Sequence, residues 1–111
     1  MEILASLLLN SLAVYVTAKL LSGVTIDSFL TAIIVSIVLS LVNTFIKPLL
    51  VLFTLPVNIL TLGLFMFVIN ALVILLVDSL VPGFSVSGFW WALLFSLILS
   101  LVGSVFTSFA K

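Results

Sequence analysis

Apolar residues run almost unbroken along this chain, and a few polar interruptions divide it into blocks of membrane-spanning length. A helix needs about 20 mainly apolar residues to cross a hydrocarbon core of roughly 30 Å. The first block runs from about residue 3 to 21 and meets a charge at Lys19, which can snorkel to the interface. A polar break, Ser22-Gly23-Val24-Thr25-Ile26-Asp27-Ser28, precedes a second block from about 29 to 46, which stops at Lys47-Pro48. An uncharged stretch follows from 48 to 77, then a second break, DSLVPGFSVSG, over 78–88. The last block opens on Phe89-Trp90-Trp91 and closes near Ala110-Lys111. Its paired tryptophans fall where an interfacial aromatic belt belongs.

The stretch 48–77 does not read as one simple span. As a single helix it would reach ~45 Å, against a hydrocarbon core of roughly 30 Å. Pro56 lies within it, and an internal proline removes a backbone hydrogen bond and crowds the preceding turn. The economical division makes residues 48–55 a short interfacial or re-entrant piece, with Pro56 opening a third span that reaches Val77. Backbone that leaves a helix at membrane depth must be shielded by protein or reach water. The broken or re-entrant segment therefore centres on residues 47–58.

Displacing the sequence by 60 positions reveals an internal repeat. Leu20, Gly23, Phe29, Ala32, Ser36, Leu39, Ser40, Leu41 and Val42 recur as Leu80, Gly83, Phe89, Ala92, Ser96, Leu99, Ser100, Leu101 and Val102, and Asn10 and Leu12 recur as Asn70 and Leu72. The Gly, Ser and Asn matches carry the signal, because Leu and Val coincide cheaply in so apolar a chain. The unit is a helical hairpin, span–Gly turn–span. The expected fold is an all-α integral membrane bundle of four transmembrane helices, forming a single domain over 1–111. Repeat 1 covers about 3–46, a linker 47–58 and repeat 2 about 59–110. The second copy begins after two crossings, so it enters from the same side as the first, which makes the repeats parallel about the membrane normal.

Composition agrees with the pattern. Apolar residues make up 66% of the 111 residues and charged ones 5%, with a net charge of zero; mean hydropathy is +1.71. A soluble domain carries about a quarter charged residues, so lipid is the solvent here. The charges are Glu2, Lys19, Asp27, Lys47, Asp78 and Lys111. No basic cluster suits a nucleic acid, and without Cys or His the usual thiol, zinc and proton-shuttle chemistries are excluded. No mid-span acid suggests proton coupling and no nucleophile–base pair suggests hydrolysis, so neither an enzyme nor a cofactor is expected. The start lacks the basic region and small-residue cleavage site of a secretory leader, so the first block reads as a retained span. One side of the membrane would carry the N-terminal amine, Glu2, Lys47 and Lys111, and the other Lys19, Asp27 and Asp78. The positive-inside rule then expects cytoplasmic termini.

Polar residues within the spans recur at helical spacing. Ser36, Ser40, Asn43 or Thr44, and Lys47 share a face of the second span; Ser96, Ser100, Gly103 or Ser104, Thr107 and Lys111 repeat it in the last; the first offers Ser6, Asn10 and Thr17. Such stripes serve chiefly close helix packing, or alternatively a wetted seam between subunits. Asn10 and Asn70 need hydrogen-bond partners in hydrocarbon. They are expected to bond each other or to clamp the broken segment near Pro56, with solute binding as the alternative. Lys47 before Pro48 is expected to mark a helix end at the headgroups, where anionic lipid and the helix C-terminus favour a cation.

The stretch NTFIKPLLVLFTLPVNILTLGLFMFVINAL, residues 43–72, followed by VPGFSVSGFWWAL, residues 81–93, resembles the four-transmembrane phage-holin-like family, holin superfamily IV. The IKP, TLP, ILTLGLF, INAL, PGF and GFW landmarks occur in order, and the likeness covers essentially the whole chain. It carries over no catalytic or binding residues; its landmarks fall on the expected breaks at Pro48, Pro56, Gly63, Pro82 and Gly83, and on Asn70. It implies a small bacterial inner-membrane protein that acts by homo-oligomerisation and opens lesions. An envelope-associated structural protein and a small channel or transporter are the alternatives. The partners expected are the lipid bilayer and further copies of the chain.

Overall fold

A computed structural model describes residues 2–110 as a helical bundle closed at one end by a short β-ribbon. Helix α1 (Glu2–Leu20) leads through strand β1 (Val24–Ile26) into α2 (Phe29–Leu41); a π-helical turn (Val42–Ile46) joins α2 to α3 (Lys47–Phe53). Helix α4 (Leu55–Leu60) and a reversal precede α5 (Phe65–Leu80), strand β2 (Phe84–Val86) and α6 (Phe89–Ala110). Three helical stretches are long and apolar enough to cross a membrane, Ile3–Leu20, Phe29–Phe53 and Phe89–Phe106, and Phe65–Leu80 is a fourth, shorter apolar helix. Lys111 and the side chain of Thr107, expected on the polar face of the last span, lie outside the described residues.

The two polar breaks are more ordered than plain turns. They pair with each other as antiparallel strands, Val24 with Val86, Thr25 with Ser85 and Ile26 with Phe84. The ladder continues outward, Asp27 N–H donating to Gly83 O at 3.0 Å and Ser87 N–H to Gly23 O at 2.8 Å. Alternation decides what faces the bundle: Val24, Ile26, Phe84 and Val86 are buried, while Thr25 and Ser85 are exposed. Phe84 packs edge-on against Phe95 of α6, ring centroids 5.5 Å apart. Beneath the ribbon, Ala32, Val35, Ala92 and Phe95 are completely buried. Helix α2 then starts at a cap, Ser28 Oγ accepting from Thr31 N–H at 3.3 Å.

The second span passes the point where the sequence expected it to stop. Pro48 lacks an N–H and, in α geometry, its ring would crowd the carbonyl four residues back. The π turn widens the helix there, with Lys47 N–H donating to Val42 O, and the chain continues helical to Phe53. Pro48 is thus absorbed at a bulge rather than breaking the helix. The break falls instead at Thr54, whose Oγ1 donates to Leu50 O at 2.7 Å. Pro56 opens only α4, of 6 residues, not a span reaching Val77. The third long apolar helix, α5, begins only at Phe65, because Leu62 (φ 58°) and Gly63 (φ 88°) turn the backbone into the left-handed region and end any helix before it. Thr61 ties this reversal, its Oγ1 donating to Val57 O at 3.0 Å and accepting from Phe65 N–H at 3.2 Å.

Candidate functional site

Eight of the polar residues singled out in the sequence, Asn10, Ser36, Ser40, Asn43, Lys47, Asn70, Ser96 and Ser100, lie along two neighbouring cavities on the side of the core away from the ribbon, and Ser6, Thr17, Thr44 and Ser104 line neither. The first, of about 180 Å³, is lined by Asn10, Ser36, Ser40 and Asn43 with apolar Ala13, Val14, Leu39 and Leu99, and by Gly103. The second, of about 140 Å³, is lined by Asn43, Lys47, Asn70, Ser96 and Ser100 with Leu39, Val73, Ile74 and Leu99. They meet at Leu39, Asn43 and Leu99. Helices α1 and α2 with the end of α6 build one; α5 and α6 with the α2–α3 junction build the other. Asn10, Ala13, Val14, Ser36 and Ser40 of the first correspond, 60 positions on, to Asn70, Val73, Ile74, Ser96 and Ser100 of the second.

Hydrogen bonding differs between the two. Ser96 Oγ donates to Leu93 O at 2.8 Å and Ser100 Oγ to Ser96 O at 3.0 Å, so both hydroxyl protons are held by the preceding turn. Among the described residues no hydrogen bond is formed by the side chains of Asn10, Ser36, Ser40, Asn43 or Asn70. Asn10 and Asn70 therefore do not bond each other and do not clamp the segment near Pro56; they line separate cavities. Ser36 is buried at 3% exposure, Asn70, Ser96 and Lys47 are half-buried, and Asn10, Ser40, Asn43 and Ser100 are exposed in the single chain. The seam thus offers carboxamides, hydroxyls and one ammonium, a set that solvates water or polar solutes and favours anions. Among the described residues it holds no acid or imidazole to carry a proton.

Three buried polar residues escaped the sequence reading, Ser11, Thr31 and Asn58, and the last lacks a partner for its carbonyl oxygen. Asn58 of α4 is 9% exposed. Its Nδ2 donates weakly to Met66 Sδ at 3.5 Å, and its buried Oδ1 has no partner. It has no repeat mate to flag it, since it lies in the stretch read as a linker; a carboxamide in an otherwise apolar run was the only signal. Of the expected breaks, Gly63 marks the reversal itself and Gly83 (φ 90°) the turn into β2, just after Pro82.

Apolar helices of spanning length, an apolar exterior and a polar interior seam define a small multi-pass helical membrane protein. The chain belongs to the family described as mycobacterial four-transmembrane-segment phage holin, superfamily IV, whose model matches residues 1–105. It is 44% identical over 97 residues to the uncharacterised membrane protein YvlD of Bacillus subtilis (strain 168), covering 86% of this chain and 82% of that one. It is 45% identical over 94 residues to the uncharacterised protein SCO3922 of Streptomyces coelicolor, covering 81% and 75%. No solved structure matches the chain.

Proposed function

We propose that this holin-family protein works in the bacterial inner membrane as a homo-oligomer that permeabilises the bilayer, and has no enzymatic activity. The observation that carries the reading is the open seam. Asn10, Ser40, Asn43 and Ser100 are exposed in the single chain, on helices whose other exposed residues are largely Leu, Ile and Phe. Lipid satisfies none of the donors or acceptors of a carboxamide. Association of copies, or water admitted along the seam, would satisfy them, and either outcome suits a protein that opens a membrane.

The ribbon register supports parallel repeats. Val24 pairs with Val86 and Ile26 with Phe84, two pairs that exchange under the 60-residue displacement, while Thr25 pairs with Ser85, its own mate. A two-fold axis along the membrane normal through that central pair accounts for all three. It puts both ribbon strands on one side and both termini on the other, with the elbow of α3 and α4 at the same boundary as the termini. Lys47 at that boundary favours it as cytoplasmic.

The test is leakage of an encapsulated dye from vesicles holding the purified chain, together with crosslinking to count copies. Leakage that rises with protein density and falls in Asn10→Leu/Asn43→Leu is expected. A chain that stays monomeric and leaks nothing at any density would leave an envelope-associated structural role. Saturable flux of one solute through monomers would favour a channel or transporter, a reading supported by the seam's closure beneath the ribbon by Ala32, Val35, Ala92 and Phe95.

A further inference from the structure

Lys47 stands between two spaces of opposite character. On one side it lines the second polar cavity beside Asn43, Asn70 and Ser100. On the other it heads an apolar groove of about 440 Å³, formed with Asn43, Pro48, Val51, Leu52 and Leu55. Leu52 and Leu55 are 62% and 46% exposed, so the groove opens outward rather than into the bundle. Among the described residues no carboxylate lines either space, and the Lys47 side chain as a whole is half-buried. A cation at the edge of the hydrocarbon, with its stem against apolar surface, is drawn to anionic groups.

Depth selects the kind of anion. From Phe29, at the ribbon end, the helix rises ~27 Å to Lys47 at about 1.5 Å per residue, and the hydrocarbon core is roughly 30 Å thick. Lys47 therefore lies just inside the boundary of the leaflet opposite the ribbon, from which its flexible stem lets the ammonium reach the phosphates. A free anion would leave the groove of Pro48, Val51, Leu52 and Leu55 uncovered, whereas an amphiphile covers both. We propose that Lys47 and this groove bind one anionic phospholipid. Its phosphate lies on the Lys47 ammonium, its glycerol esters accept from the Asn43 carboxamide, and one acyl chain lies along α3. The site does not depend on pore formation.

The experiment is native mass spectrometry of the full chain released from non-ionic micelles doped with phosphatidylglycerol or with phosphatidylcholine of the same chains. One retained phosphatidylglycerol per chain is expected, preferred by about fivefold, the equivalent of ~1 kcal/mol for a basic side chain near a bilayer surface. Lys47→Gln removes that preference and Lys47→Arg keeps it. Val51→Trp, which fills the groove without touching the charge, lowers retention of both lipids. Lys19→Gln, at the opposite boundary, changes nothing. A preference that survives Lys47→Gln, or that Lys19→Gln abolishes equally, would overturn the site in favour of diffuse annular attraction. Complete displacement by millimolar inorganic phosphate would overturn it in favour of a free-anion site. Should Lys47→Gln fail to fold, unchanged retention in Val51→Trp would overturn it by itself. Dye leakage is scored separately, so a failed pore and a failed lipid site give different results.

Discussion

Adding one methyl group at each of three glycines separates the demands of the ribbon from those of the elbow. At Gly63 the backbone is left-handed (φ 88°) and a Cβ would meet nothing within 4 Å. Gly63→Ala therefore incurs only the conformational cost, about 1–2 kcal/mol. At Gly83 φ is 90°, and a Cβ would lie 2.5 Å from Asp27 Oδ2 and 3.3 Å from Thr31 Oγ1. The Asp27 carboxylate is exposed and can swing aside, at about 0.5–1.5 kcal/mol for an off-rotamer side chain. Gly83→Ala should then cost that much more than Gly63→Ala. At Gly23 no unusual φ is involved, but a Cβ would overlap the Trp91 ring, and displacing a rigid indole falls in the overpacking range of about 1–3 kcal/mol.

Equilibrium unfolding in mixed detergent, followed by tryptophan fluorescence, measures all three. Both tryptophans, Trp90 and Trp91, sit at the start of α6 beside the ribbon. Gly23→Ala should therefore shift the native emission as well as the midpoint, and Gly63→Ala the midpoint alone. The decisive comparison is a cycle: with Asp27→Ala already present, Gly83→Ala should cost no more than Gly63→Ala. If Gly83 and Gly63 substitutions cost the same with Asp27 intact, or if the Asp27→Ala background makes no difference, the two breaks do not pack as the ribbon register requires.

Phe95→Ala empties a completely buried site under Phe84; about 3–5 kcal/mol is the soluble-protein range, and the lower end is expected here because lipid also solvates the freed ring in the unfolded reference state. Detergent unfolding reads it, and a loss under about 1 kcal/mol would mean that the ribbon does not cap the core. Ser40→Leu and Ser100→Leu, at exposed positions of the seam, should change monomer stability by less than about 0.5 kcal/mol yet lower dye leakage; unchanged leakage from both would remove the seam from the permeation path. Asn58→Leu deletes a buried acceptor without a partner, so the thermal midpoint should hold or rise; a loss above about 1 kcal/mol would show that another copy or a bound group satisfies Oδ1.

Much of the bundle was legible because charges and glycines punctuate the apolar runs. The ends of α1 near Leu20 and the start of α6 at Phe89 follow from that alone. The ribbon was not legible, since Val24-Thr25-Ile26 and Phe84-Ser85-Val86 are each too short to signal a strand. Only their meeting across the bundle, a non-local contact, makes them one. The proline rule misled at Pro48 because it assumes α geometry, and a π turn removes the clash it counts on. The elbow misled because a leucine, Leu62, takes a left-handed φ of 58° that sequence patterns assign to glycine or asparagine. The seam was legible as a stripe of Ser and Asn. Its division into two cavities depended on the relative placement of four helices, which no stripe encodes.

The charges within the spans and breaks follow a different rule from the packing. Completely buried positions keep completely buried mates 60 residues apart, Ala32 with Ala92, Val35 with Phe95, Ser11 with Ala71 and Thr17 with Val77. The charges are never duplicated: Lys19 stands opposite Ser79, Asp27 opposite Ser87, Lys47 opposite Thr107 and Asp78 opposite Ala18. Packing in the proposed two-fold arrangement would constrain both copies alike, so a substitution tolerated at one core position would be tolerated at its mate. A charge at the boundary meets a different requirement, because orientation in the bilayer is set by the total on each side rather than by symmetry. Duplicating Lys47 at position 107 would raise the bias without improving any contact, and duplicating Asp27 at 87 would set two carboxylates at the ribbon's edges. A single Lys47 instead gives one of two otherwise matched cavities a cationic mouth. Under the proposed two-fold frame that would make the seam chemically directional, and an anion entering it would be drawn to the second cavity rather than the first.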